Sequence, residues 1–161
     1  MPTAYSWSLP GARKRVDYEA PQGRRVNAMA ALRRHGASPR LEAFTAERTW
    51  DSYDLLGFLG ALPGAKVPRV VVLDNASLHT SHVVRRARPA LAAAGIYLYF
   101  LPPYAPELNE IEPVFRQVKY QGMPYRSHTT RARLRAAVAA AFETYGRALR
   151  SESAKKSRRA A

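Results

Sequence analysis

Apolar positions alternate with polar ones in some segments of this chain and recur every three or four residues in others. Val26–Leu32 is a candidate strand, and alternation predicts a second strand at Arg40–Ala46. The spacing over Thr49–Leu62 predicts a helix, with Thr49 or Asp51 as its N-cap. The unbroken apolar run in Arg69–Asp74 predicts a strand buried on both faces, as in a central parallel strand.

The same patterns continue through the second half of the chain. Ser81–Gly95 is predicted as a helix that Pro89 kinks or splits, and Ile96–Leu101 as the next strand. A Pro-rich connector precedes a helix in Asn109–Gly122, and the last predicted helix is Ser127–Leu149. That last helix carries an apolar stripe at spacings of three and four, formed by Leu134, Val138, Phe142, Tyr145 and Leu149.

Strands that alternate with helices late in the chain require an α/β sheet with parallel members. No internal repeat or second domain is visible, so the pattern predicts one domain over residues 1–150. Residues 151–161 carry mostly basic side chains and are predicted to be a disordered tail.

Charge narrows the range of partners. The 161 residues include 26 Lys and Arg against 12 Asp and Glu, a formal net charge of +14. This excess favours a polyanionic partner, with nucleic acid first and an anionic membrane surface second. No apolar run reaches about 20 residues, the length that a membrane span needs. The sequence does not open with a signal-peptide pattern. It contains no cysteine for a disulfide or a thiolate metal site. We therefore expect a cytoplasmic prokaryotic protein.

Two acidic positions stand out in this basic chain. Asp74 ends the apolar strand, where functional groups collect in α/β sheets, although an Asx-turn leaving the strand would also explain it. Glu112 follows one strand and one connector later. It fits either the third position of a capping box after Asn109 or the N-cap of a helix that begins at Pro113.

Taken together, "VVVLDNASLHTS" and "YLYFLPPYAPELNEIEPVFRQVK" resemble insertion-sequence transposases of the mariner superfamily, which are DDE enzymes with an RNase H-like fold. The family pattern is a strand ending in Asp-Asn, a nearby His, a Leu-Pro-Pro-Tyr-x-Pro-x-Leu-Asn-Pro-Ile-Glu motif, and then an aromatic residue and a Lys. Glu110 stands where the family has Pro, and Trp7, Gly23 and Val26–Leu32 extend the resemblance weakly upstream. The matching residues are Asp74, Asn75, His79, Leu101, Pro102, Pro103, Tyr104, Pro106, Leu108, Asn109, Ile111, Glu112, Phe115 and Lys119.

The resemblance implies an RNase H-like mixed sheet flanked by helices, together with two-metal phosphodiester chemistry. Asp74 and Glu112 would be the catalytic ligands of Mg²⁺, with Mn²⁺ as an alternative. The implied partners are the terminal inverted repeats of a mobile element and target DNA, and the implied assembly is a homodimer at the nucleoid. The positions that would contact DNA or shape the site are Asn75, His79, Tyr104, Asn109 and Lys119.

DDE enzymes use three acids, and the family's first acid ends the first, central strand, which precedes the segment that Trp7 matches. No acidic residue precedes Asp17 in this chain. We therefore expect the C-terminal part of a transposase, without that strand or the N-terminal helix-turn-helix region, and inactive alone. A split reading frame, decay or a misassigned start would each explain it. The poorly placed substitutes for the first acid are Asp17, Glu19, Glu42, Asp51 and Asp54.

Two other classes of function remain open at this point. The chain could be another RNase H-like nuclease, such as a resolvase or ribonuclease, although the Pro-Pro-Tyr motif argues against it. It could also be a basic nucleic-acid-binding protein without catalysis, in which Asp74 and Glu112 are purely structural. Charge alone does not separate these classes, because a basic face serves each of them.

The charge generates a first testable expectation. DNA binding by the 161-residue chain should be weak, tolerant of sequence and steeply salt-dependent, because each phosphate contact releases counterions. Titration of fluorescent duplexes at several salt concentrations measures this dependence. An affinity that stays flat between low and moderate salt would show that the basic surface is not the binding site.

Overall fold

The computed structural model describes residues 9–12, 25–34, 39–63, 67–123 and 128–160. The chain divides into two compact units. We call Thr49–Glu112 the central unit, and Met1–Arg48 with Pro113–Ala161 the terminal unit. Trp7, Asp17 and Gly23, which figured in the sequence analysis, lie outside the described residues, as does Glu19.

Helices and strands follow one another largely as the sequence predicts, and the mixed α/β class is confirmed. In chain order they are β1 (Asn27–Arg33), β2 (Arg40–Ala46), α1 (Ser52–Ala61), β3 (Arg69–Leu73), α2 (His82–Ala93), β4 (Ile96–Phe100), a 3₁₀ helix (Pro106–Leu108), α3 (Ile111–Gln117), a π-helical turn (Val118–Gly122) and α4 (Arg131–Ala160).

In the terminal unit, β1 and β2 form an antiparallel pair in which Asn27 lies opposite Ala46 and Arg33 opposite Arg40. Helix α4 packs on β2, and the predicted apolar stripe lies on its less exposed side, with Phe142 buried. Phe115 of α3 meets Phe142 edge to face at a centroid distance of 5.5 Å. The aromatic residue of the family motif therefore has a packing role on α4.

Helix α4 continues to Ala160, so the stretch predicted as a disordered tail from residue 151 is helical up to that residue. Glu152, Ala154 and Lys155 are good helix formers, and neither glycine nor proline follows Gly146. Because helix propagation adds one hydrogen bond per residue, an established helix extends readily into such a sequence. The composition of residues 151–161 alone does not show that a helix already formed by the preceding residues can extend into them.

In the central unit, β3 and β4 form a parallel pair in the register Arg69 opposite Ile96 and Leu73 opposite Phe100. Helix α2 packs on β4 and on α1. The Arg88 guanidinium of α2 lies over the Phe100 ring at 5.7 Å, which identifies the sheet face that α2 covers. The most deeply buried side chains of this unit are Leu55, Leu59, Phe58, Val84, Ile96 and Leu101.

The prediction that β3 is buried on both faces is wrong. Val70 and Val72 are 64% and 49% exposed, and their neighbours Tyr97 and Tyr99 on β4 are 48% and 57% exposed. These four side chains share the face opposite to the one that contacts α2, because side chains alternate along a strand. An unbroken apolar run shows only that both faces of a strand are compatible with burial. Whether a face is buried depends on which other element packs against it.

Of the two effects predicted for Pro89, the split is absent, because helix α2 is continuous through that residue. The kink stays a prediction. Pro89 removes the hydrogen bond to the carbonyl of Arg85, and since both residues are exposed, that carbonyl can bond water instead. Helix α3 begins at Ile111, so Glu112 is its second residue, and both predicted placements of Glu112 at the helix start are wrong.

Among the described residues, no helix combines the length and apolar character needed to cross a bilayer.

The two alternatives for the start of α1 are decided in favour of Asp51. Its carboxylate accepts hydrogen bonds from the backbone N–H groups of Tyr53 and Asp54, at 2.9 Å each. The Asp54 carboxylate accepts in turn from the N–H of Asp51, at 2.9 Å, which completes a capping box.

This cap gives a stability prediction for the central unit. Asp51→Ala should lower the free energy of unfolding by about 1 kcal/mol, because the first turn of α1 loses its acceptor. Asp51→Asn is the matched control and should behave like the unchanged chain, since an Asn side chain also accepts at an N-cap. Urea unfolding followed by circular dichroism measures both variants. Equal losses in the two would contradict the capping role.

Candidate active site

Asp74 lies directly after β3, at the carboxyl end of the parallel pair. Its Oδ1 accepts a hydrogen bond from the backbone N–H of Ala76 at 3.0 Å, so the predicted Asx-turn is present. The same oxygen lies 2.7 Å from Nδ1 of His79. The side chain is nevertheless 46% exposed. The structural role of Asp74 therefore leaves its carboxylate accessible to solvent and to a ligand.

Asn75 joins the ends of the two parallel strands. Its Nδ2 donates to the carbonyl of Leu101 at 2.7 Å, and the N–H of Leu101 donates to the carbonyl of Leu73 at 2.9 Å. These bonds extend the pairing of β3 with β4 by one step beyond the strands. Asn75 therefore fixes the start of the Pro-rich connector relative to Asp74.

A succession of tight turns brings the connector to Glu112. The N–H of Leu108 donates to Ala105, that of Asn109 to Pro106, and that of Glu112 to the carbonyl of Asn109 at 3.0 Å. Glu112 stands in the first turn of α3. Its carboxylate forms no hydrogen bond or ion pair with any residue in the described ranges. It is available for a ligand.

The two carboxylates line the same cavity, which has a volume of about 370 Å³ and lies wholly within the central unit. Asn75, Asn109 and the connector residues 101–106 complete its walls. Of the residues singled out from the sequence, Asp74, Asn75, Tyr104, Asn109 and Glu112 are thus brought together at this cavity.

The remaining two site candidates are placed differently. His79 does not line the cavity; its Nδ1 contacts Oδ1 of Asp74, and the imidazole is only 18% exposed. Lys119 lies in the π-helical turn of the terminal unit, where its Nζ is 5.1 Å from the centre of the Tyr120 ring. The sequence left the role of His79 open, and its spacing of five residues from Asp74 was the only signal of their contact.

No third acidic ligand joins the pair in the described part of the chain, where no group of three His, Cys, Asp or Glu side chains could hold a metal. Of the possible substitutes for the first acid, Asp51 and Asp54 form the capping box of α1. Glu42 lies on β2 of the terminal unit, opposite Ala31.

Tyr104 on the cavity wall has an unusual backbone conformation. Its φ is 58°, the left-handed region that a bulky side chain rarely adopts, and among the described residues no other non-glycine residue has a positive φ. The side chain is fully exposed, so packing does not offset this strain. Strained residues of this kind cluster at functional sites, which is consistent with the position of Tyr104 beside the two carboxylates.

The cavity lies at the carboxyl end of a parallel strand pair, where ligands commonly bind in α/β folds, and its two carboxylates are hard oxygen ligands of the kind that divalent cations prefer. The family model described as "DDE superfamily endonuclease" matches residues 1–135, and the chain belongs to this family. The match supports the DDE class, the RNase H-like fold and a transposase or nuclease type of function that acts on DNA. No curated protein matches the chain.

The strain at Tyr104 gives a prediction about stability. Tyr104→Asn should raise the free energy of unfolding by up to about 1 kcal/mol, because Asn tolerates the left-handed conformation far better. Tyr53 is the matched control, since it is exposed but lies in ordinary helical backbone on α1. Tyr53→Asn should give no gain. A loss of stability in Tyr104→Asn, measured by urea unfolding, would show that the ring contributes packing.

Proposed function

We propose that the chain is a DDE transposase catalytic segment that acts on the ends of a mobile DNA element by metal-dependent cleavage and transfer. The observation that carries this proposal is that Asp74 and Glu112 line one cavity in a chain of the DDE endonuclease family. The family pattern around these residues, with its Pro-Pro-Tyr connector, supports a mariner-type transposase over another RNase H-like nuclease.

The donor set at the cavity suits a hard divalent cation. Carboxylate oxygens are the ligands that Mg²⁺ prefers, and Mg²⁺ keeps several of its waters when few protein ligands are present. Asp74 and Glu112 would hold it, and DDE endonucleases in general use divalent metals. When bound, the cation would supply activation of the attacking oxygen and stabilisation of the leaving oxygen. Mg²⁺ is the proposed ion, with Mn²⁺ as its substitute.

The residues of the cavity have further proposed roles toward DNA. Asn75 and Asn109 shape the cavity wall, and the exposed ring of Tyr104 is a proposed DNA contact at its rim. Lys119 is a proposed phosphate contact, as its charge and its place in the family motif indicate. The net charge of +14 supplies the attraction to terminal repeats and target DNA. A homodimer is the proposed assembly.

Two carboxylates set a limit on what the described residues can do. Two carboxylates offer few ligands for a pair of cations, and no third acidic ligand accompanies Asp74 and Glu112 in the described ranges. We therefore expect these residues to hold one cation weakly. Asp74 and Glu112 alone should not support cleavage of terminal-repeat DNA, which should require a further carboxylate; in the family that acid ends the first central strand.

Cation binding tests the proposal directly. Asp74→Asn and Glu112→Gln should each weaken Mn²⁺ binding by roughly 10-fold or more, because each removes an anionic oxygen ligand. Electron paramagnetic resonance of free Mn²⁺ during titration measures the affinity. Glu107→Gln is the matched control, since Glu107 is an exposed acid of the same connector that does not line the cavity.

Two outcomes would count against the proposal. Equal Mn²⁺ affinity in all four chains would place the cation elsewhere and leave both carboxylates structural, which is the alternative of a basic nucleic-acid-binding protein without catalysis. Robust Mg²⁺-dependent cleavage that persists in Asp74→Asn and Glu112→Gln would contradict their assignment. DNA affinity should survive in both variants, because it depends on Lys and Arg.

A further inference from the structure

We infer that His79 is a positioning residue for Asp74: its Nδ1–H holds Oδ1, so that Oδ2 is the oxygen presented to the cation. This inference rests on the proposed function, since it concerns the same carboxylate. Oδ2 of Asp74 would bind the cation, the His79 imidazole would carry its proton on Nδ1, and His79 itself would contact neither the metal nor the DNA.

The contacts of Nδ1 determine which ring nitrogen carries the proton. Nδ1 of His79 lies 2.7 Å from Oδ1 of Asp74 and 3.3 Å from the backbone carbonyl oxygen of the same residue. An ionised carboxylate and a carbonyl only accept hydrogen bonds. The nitrogen that faces both of them must therefore be the donor, which assigns the proton to Nδ1.

The two oxygens of the Asp74 carboxylate have different surroundings. Oδ1 accepts from both His79 and the backbone N–H of Ala76. Oδ2 accepts no hydrogen bond from any residue that the structure describes. The donor ring is 18% exposed and the Asp74 side chain 46% exposed, so the contact with His79 leaves the carboxylate partly accessible to solvent. One oxygen is thus fixed while the other remains available.

The turn that carries His79 is itself held in place. The N–H groups of His79 and Thr80 both donate to the carbonyl of Ala76, at 2.9 and 3.1 Å. The carbonyl of Leu78 accepts from the hydroxyl of Ser52 on α1 at 3.1 Å. Because the backbone on both sides of the imidazole is bonded, the ring has a defined position relative to the end of β3.

A carboxylate held in this way requires less ordering when the cation arrives. An unanchored Asp side chain must give up rotamer freedom on binding, and outer hydrogen-bond partners of metal ligands typically contribute 10- to 100-fold to metal affinity. With Oδ1 engaged by two donors, Asp74 is prepared for binding through Oδ2. Loss of the imidazole would leave only the Ala76 N–H on Oδ1.

Two substitutions distinguish a donor at Nδ1 from a side chain that merely fills space. Both Nδ1 of His and Nδ2 of Asn stand two bonds from Cβ, so His79→Asn can keep the donor. The amide nitrogen of Gln stands three bonds from Cβ, like Nε2, so His79→Gln moves the donor away. In the full 161-residue chain, Mn²⁺ affinity should stay close to the original in His79→Asn and fall roughly 10-fold or more in His79→Gln and His79→Ala.

Controls separate positioning from folding. His82 is an exposed histidine at the start of α2, and His82→Gln should leave Mn²⁺ affinity unchanged. Thermal unfolding of each variant without metal should show a folded chain. If His79→Gln and His79→Ala fail to fold, the unchanged chain still provides a test, because nuclear magnetic resonance of its ¹⁵N-labelled imidazole reports which nitrogen carries the proton. A proton on Nδ1 supports the inference, and a proton on Nε2 alone overturns it.

The outcomes also separate this inference from the proposed function. If the unchanged chain binds no Mn²⁺, the metal site of the proposed function fails and this inference fails with it. If Mn²⁺ binds and Asp74→Asn abolishes binding, but all three His79 variants bind as tightly as the unchanged chain, only the positioning role is overturned. A loss in His79→Asn as large as in His79→Ala also overturns it, because the donor at Nδ1 would then be irrelevant.

Discussion

The parallel pairing of β3 with β4 is the interaction on which the candidate site depends. Parallel strands end at the same edge of a sheet, so the pairing brings the residues after Leu73 and Phe100 together. The amide of Asn75 prolongs the pairing to Leu101 and fixes the direction in which the connector leaves. The cavity lies at this edge, because the connector starts there and turns back through the 3₁₀ helix, which places Glu112 on the cavity wall.

A structural role and a proposed metal-ligand role coincide at Asp74. The Asx-turn and the contact with His79 both use Oδ1, and they restrict the side chain without covering it. Hydrogen bonds to one carboxylate oxygen are a common way of orienting a metal ligand. A local turn that explains the presence of an acid is therefore no argument against a ligand role. An acid with only a turn role and an acid that can also bind a metal differ in whether a carboxylate oxygen remains accessible. At Asp74, Oδ2 remains without a hydrogen bond among the described residues.

The central unit covers only one face of its strand pair. Helix α2 packs on the face that carries Phe100, whereas Val70, Val72, Tyr97 and Tyr99 are about half exposed on the other. Exposed apolar side chains forgo the stabilisation of about 25 cal/mol per Å² that burial provides. The candidate metal site is likewise incomplete, since no third acidic ligand accompanies Asp74 and Glu112 in the described ranges.

Sequence alone determined the features that depend on neighbours along the chain. The four strands, the helical segments and the Asp51 cap as one of two alternatives follow from periodicity and turn chemistry. The pairing of Asp74 with Glu112 follows from the resemblance to DDE transposases. Tertiary structure decided which face of β3 is buried and how α2 tolerates Pro89. It also decided that His79 contacts Asp74 while Lys119 belongs to the other unit. The physical reason is that burial is set by segments distant in sequence, and that the turn between Asp74 and His79 is itself held by Ser52 of α1; no local pattern encodes this packing.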